Sequence, residues 1–123
     1  MSFNHLNETR LIGQLESMSD LIELGEHTKV VNFTVVTGHP SRDGSKETRH
    51  KCSAYNQAAE ALLRYGKPNA LIYVSGYLSY RQARDDFENG LVAEIRVSHA
   101  GDLKVLSAIP KTNRGPYGRV MSY

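Results

Sequence analysis

Tryptophan is absent from this chain, cysteine occurs once, and no apolar run is long enough to cross a bilayer. Each absence excludes something. Without tryptophan, any aromatic stacking falls to seven tyrosines and three phenylalanines. One thiol, Cys52, cannot build an internal disulfide framework, and its place among small strand residues marks it as packed rather than reactive. The histidines His5, His27, His39, His50 and His99 are scattered without metal-ligand spacing, so neither a metal site nor a cofactor is expected. No Ser/His/Asp order with local support, no phosphate loop and no paired-carboxylate motif is present, and Asp85-Asp86 reads as a solvated turn. An enzyme is therefore not expected. The start Met1-Ser2-Phe3-Asn4-His5 is too polar for a signal peptide, which makes a cytoplasmic protein the default.

What is present fits one globular domain. The 123 residues are 40% hydrophobic and 23% charged, enough to bury a core without staples. A formal net charge of +2 argues weakly for an anionic partner, but its distribution says more. Before Lys29, the acids Glu8, Glu16, Asp20, Glu23 and Glu26 face Arg10 alone. Between His39 and Tyr55, the cations Arg42, Lys46, Arg49 and Lys51 outnumber Asp43 and Glu47, and after Lys104 only cations remain. A near-neutral total thus hides a basic stripe, which is what an anionic polymer would feel.

Periodicity supplies the elements. Asn7 to Leu15 reads as a first strand, with Gly13 where a bulge or bend would fall. A weak strand is assigned to Asp20–Leu24 and a turn to Gly25–Thr28. Lys29 to Thr37 is the clearest strand, with Val31, Phe33 and Val35 on one face. Gly38 to Ser45 reads as a mobile hairpin loop, and Glu47 to Tyr55 returns as the third long strand. Asn56 to Tyr65 makes a short helix, N-capped by Asn56 and burying Ala58, Ala59, Leu62 and Leu63. Ala70–Arg81 and Leu91–Ser98 are the last two long strands, around a polar tip at Asp85–Gly90, and Leu103–Leu106 adds a short edge strand. Three strands, a helix and two strands is the order of a five-stranded OB-fold Greek-key barrel, an all-β fold with one short α-helix between strands 3 and 4. Residues 1–109 are assigned to this domain and 110–123, which lack periodicity, to a disordered basic tail.

The strand Glu47–Tyr55 carries the functional reading. One face alternates Arg49, Lys51, Ser53 and Tyr55, and the other carries Thr48, His50, Cys52 and Ala54. Taken alone, this is an ordinary half-exposed strand with solvated charges. On an OB barrel it suits a surface that holds a phosphate backbone while stacking a base. Arg42 and Lys46 beside the first hairpin are candidate phosphate contacts, as is Arg84 in the last. Tyr80 and Phe87, beside and within that last hairpin, could reach a bound strand, although core or interface packing is the commoner use of a tyrosine.

Several segments resemble bacterial single-stranded DNA-binding proteins in the right order. They are Asn7-Glu-Thr-Arg-Leu-Ile-Gly-Gln-Leu15, Val30-Val-Asn-Phe-Thr-Val-Val-Thr37, Glu47-Thr-Arg-His-Lys51, Gln57-Ala-Ala-Glu-Ala-Leu-Leu-Arg-Tyr-Gly66 and Ile72-Tyr-Val-Ser-Gly-Tyr-Leu78, with Arg81 close behind. The resemblance implies sequence-tolerant binding of single-stranded DNA during replication, recombination or repair. It also implies a homo-oligomer, a tetramer before a dimer. By the same resemblance Arg49 falls where the family often stacks tryptophan, Lys51 and Arg81 fall on backbone-contacting cations, and Tyr55 on a stacking aromatic. Tyr73 and His50 fall on structural or interfacial positions. The chain departs from the family by lacking tryptophan, with Ala83 near a second stacking position, and by ending Gly118-Arg-Val-Met-Ser-Tyr123 instead of in an acidic tip. It reads as a divergent member, and without that acidic tip the recruitment of replication or recombination proteins stays an open expectation. Two alternatives stay open: a primosome-type OB accessory protein that acts mainly by docking replication partners, and a barrel used for protein assembly alone.

Overall fold

The longest ladder forms where β-branched residues are densest. The computed structural model describes residues 5–83 and 90–108. In chain order it contains β1 (Thr9–Met18), β2 (Ile22–Glu23), β3 (Lys29–Ser41), β4 (Gly44–Tyr55), α1 (Gln57–Tyr65), β5 (Ala70–Gln82), β6 (Leu91–Val97) and β7 (Leu103–Ala108). β3 and β4 pair antiparallel without interruption from Val30↔Tyr55 to Ser41↔Gly44. Alternation along β3 sends Val31, Phe33 and Val35 inward, where each is buried, and leaves Asn32, Thr34 and Val36 on the outside.

Five strands close on themselves. β1 pairs β3, β3 pairs β4, β4 pairs β6 in parallel, β6 pairs β5, and β5 returns to β1. This is the OB-fold barrel expected from the order of elements, with α1 between its third and fourth ring strands. β2 adds to β3 and β7 to β5 outside the ring.

A closed ring requires strands that change partner midway, and glycine marks two such places. β1 passes from β5 to β3 around Gly13 and Gln14. A side chain on Gly13 would collide with the Val36 carbonyl. β5 passes from β1 to β6 at Gly76 and Tyr77, and a side chain at Gly76 would meet the Arg96 carbonyl. The bulge itself lies elsewhere than the sequence suggested: Leu15 pairs Val35 and Ser17 pairs Thr34, so the extra residue is Glu16 rather than Gly13.

Three other expectations change. Gly38–Ser45 is not an irregular loop, because β3 runs to Ser41 and β4 starts at Gly44, leaving only Arg42 and Asp43 at the corner. The positive φ of Gly44 (115°) lets the chain turn that tightly. Asn56 stands at the N-cap position, but its side chain does not cap the helix. Instead its Oδ1 accepts from the Lys29 amide at 2.9 Å while its own amide donates to the Lys29 carbonyl, clamping the end of β4 to the start of β3. α1 plugs the barrel with Ala58, Ala59 and Leu62, whereas Leu63 lies on the flank of the helix at 38% exposure. The polar tip at Asp85–Gly90, apart from Gly90 itself, and the tail 110–123 lie outside the described residues.

Candidate nucleic-acid interface

Pairing registers lay out the outer face of the barrel in rows. Gln14, Val36 and Arg49 form one row across β1, β3 and β4. Ser17, Thr34 and Lys51 form the next. Asn32, Ser53, Arg96 and Tyr77 follow across β3, β4, β6 and β5. Val30 and Tyr55 close the series. Three successive rows therefore each contribute one cation, and neighbouring strands stand about 4.8 Å apart.

The cations differ in setting. Arg49 is exposed, and its Nε lies 3.0 Å from both carboxylate oxygens of Glu16. Lys51 is exposed beside it in the ladder. Arg81, which the resemblance places on a backbone-contacting cation, is largely covered, with a side chain only 12% exposed. It donates from Nε to Glu94 Oε2 at 2.7 Å and from Nη1 to the Gln82 carbonyl. Glu94 is itself buried on this outer face, and its other oxygen lies 3.6 Å from Arg96 Nε. Two arginines around one buried carboxylate leave a net positive charge, and the pairing offsets the cost of burying Glu94. Together Ser17, Asn32, Thr34, Lys51, Arg81 and Glu94 line a cleft of about 300 Å³.

The other anticipated residues scatter. Ser53 is fully buried and donates to Asn32 Oδ1 at 3.0 Å, so it fixes the floor of the face instead of presenting a hydroxyl. Tyr55 is half-buried at the far end of β4. Arg42 is exposed at the corner of the β3–β4 ribbon. Lys46 is exposed too, but it pairs with His39 and alternation puts it on the side of the ribbon opposite Arg49 and Lys51. Tyr80 pairs with Ala93, is 59% exposed, and leaves β5 on the face opposite Arg81. Arg84 and Phe87 lie outside the described residues. Arg96, Glu16 and Glu94 join the face although the sequence reading did not assign them, and Tyr77 joins it on the same side of β5 as Arg81. Alternation of Val92, Glu94 and Arg96 against Ala93, Ile95 and Val97 carried the signal for two of them.

The inner side of β4 is chemically quiet. Burial, and then the charge of Glu94, pushes the Cys52 thiol up to about 12. Burial lowers the His50 pKa from its ordinary value, and its Nε2 lies 2.8 Å from Thr37 Oγ1. Among the described residues, no group of three or more His, Cys, Asp and Glu side chains could hold a metal ion. Among them also, no helix is long and apolar enough to cross a membrane.

Comparison with known proteins follows the same outline. A family model described as "Single-strand binding protein family" matches residues 6–103. Among solved structures, one titled "Plasmodium falciparum SSB complex with ssDNA" superposes with a TM-score of 0.70 at 24% identity. The match covers 87% of this chain and 98% of that one, and at such identity it speaks for the fold.

Proposed function

The chain belongs to the single-strand binding protein family, and from that premise we propose that it binds single-stranded DNA with little regard to sequence and protects it during replication, recombination or repair. The observation that carries this reading is the placement of Arg49, Lys51 and Arg96 in three successive rows of one outer face. Cations repeated along a face suit a repeating phosphate backbone, because they follow charge and not base identity. Tyr77, 42% exposed and paired with Arg96, is the ring best placed to stack a base beside that track, with Tyr55 at its end. Arg81 acts from beneath, lending charge to the cleft through Glu94 rather than reaching out alone. Arg42 and Lys46 on the β3–β4 ribbon, and Arg84, Tyr80 and Phe87 around the β5–β6 hairpin, would engage a strand that runs past the barrel onto these arms.

The protein works by binding alone, in the cytoplasm with the nucleoid, as a homo-oligomer with a tetramer favoured over a dimer. Ile12 supports assembly, since it is 48% exposed in the middle of β1, and its partner Tyr73 is half-buried. Family membership favours DNA binding over an accessory that acts mainly by docking replication partners.

Titration with oligo-dT at several salt concentrations, followed by tyrosine emission, tests the proposal. Affinity is expected to fall with salt by about 0.7 log units per log of salt for each phosphate neutralised. An absence of binding at low salt would overturn it.

A further inference from the structure

The register slip in β1 leaves Glu16 outside the ladder. Leu15 pairs Val35 and Ser17 pairs Thr34, so Glu16 falls between successive pairs, and regular alternation resumes with Met18, which packs against the core. From there the Glu16 carboxylate reaches across β3 to Arg49, both of its oxygens 3.0 Å from Nε. Both partners are open to solvent, with side chains 55% and 38% exposed. This pair therefore differs from Arg81–Glu94, whose side chains are 12% and 3% exposed. The buried pair is a fixed part of the barrel. The exposed pair is weak enough for a phosphate to displace.

We propose that Glu16 sets the strength of phosphate binding at Arg49 by competing for the same guanidinium. The inference rests on the reading that this outer face takes single-stranded DNA. In the unbound protein Arg49 already holds a carboxylate, so a phosphate arriving there exchanges one anion for another. Glu16 keeps its charge beside the bound backbone and cancels part of what Arg49 contributes. The result is a looser, less salt-sensitive grip at this row than the cation alone would give, while Arg96 in its own row keeps the buried Glu94 beside it.

The experiment compares wild type with Glu16→Gln, Arg49→Gln and the double variant by oligo-dT titration across salt. Both positions are exposed, and circular dichroism checks that the fold is kept. Glu16→Gln is expected to tighten binding up to about five-fold at low salt, the ratio that corresponds to one surface ion pair. Its log–log salt slope should steepen by about 0.7, one further phosphate neutralised. In the Arg49→Gln background the same substitution should bring no gain. Two results would overturn the inference. An unchanged or weaker affinity in Glu16→Gln would mean that the carboxylate only steadies Arg49, and an equal gain without Arg49 would mean a diffuse charge effect. Failure of the wild type to bind would instead remove the reading of the face itself, and the inference with it.

Discussion

Glu94 shows how much one side chain can decide. It is a carboxylate buried on the outer face of the barrel, held by Arg81 at 2.7 Å and approached by Arg96 at 3.6 Å. Removing one partner of a buried pair strands the others in a medium that solvates charge poorly. Glu94→Ala is therefore expected to destabilise the fold by about 3–5 kcal/mol, measured as a lower urea midpoint with an unchanged slope. A loss within about 0.5 kcal/mol would place the two arginines in water. Cys52 lies on the other side of β4, and its thiol is pushed up to about 12 by burial first and Glu94 second. Thiolate is the reactive form, so the native protein should resist iodoacetamide at neutral pH and react only once unfolded. Rapid native labelling, read by mass spectrometry, would contradict that environment.

Elements carry the part of the fold that sequence shows best. β3 announced itself through its β-branched residues, and its inward set Val31, Phe33 and Val35 is the buried set. The short helix was also plain, but not which of its leucines matters. Leu62 is fully buried and Leu63 is 38% exposed. Leu62→Ala should therefore cost about 2–5 kcal/mol of stability, while Leu63→Ala should stay within about 0.5 kcal/mol; equal losses in chemical denaturation would show that both leucines plug the barrel. Periodicity alone could not separate them, because the flank of a helix is covered or left open by whatever packs beside it. The same limit explains the ribbon. Gly38, Pro40, Asp43 and Gly44 read locally as a loop, yet the β3–β4 ladder continues through Pro40↔Ser45 because the antiparallel pairing on either side extends it. The candidate face was legible as far as alternation reaches, in Arg49 and Lys51. The partners of its arginines were not, since Glu16 and Glu94 are brought there by strand pairing between segments far apart in the chain.

For the whole molecule, the surfaces of the barrel differ in chemistry. The inside is core, the β3–β4–β6 outer face carries Arg49, Lys51 and Arg96, and exposed Ile12 on β1 sits on the β1–β5 side of the ring. If binding and assembly use different surfaces, they should respond independently to mutation. Arg49→Glu with Lys51→Glu reverses two exposed charges, so the thermal midpoint should move little. The phosphate contact at Lys51 would be lost together with the part of Arg49's that Glu16 leaves, flattening the log–log salt slope by between about 0.7 and 1.4 and weakening binding most at low salt. Sedimentation velocity should meanwhile report the same oligomer as for wild type. The opposite pattern, a changed oligomer with oligo-dT affinity intact, would assign the Arg49–Lys51 face to contacts between subunits. A barrel used only for assembly would then be the better account of this surface, and the nucleic acid would have to run along the side of the β3–β4 ribbon that carries Lys46.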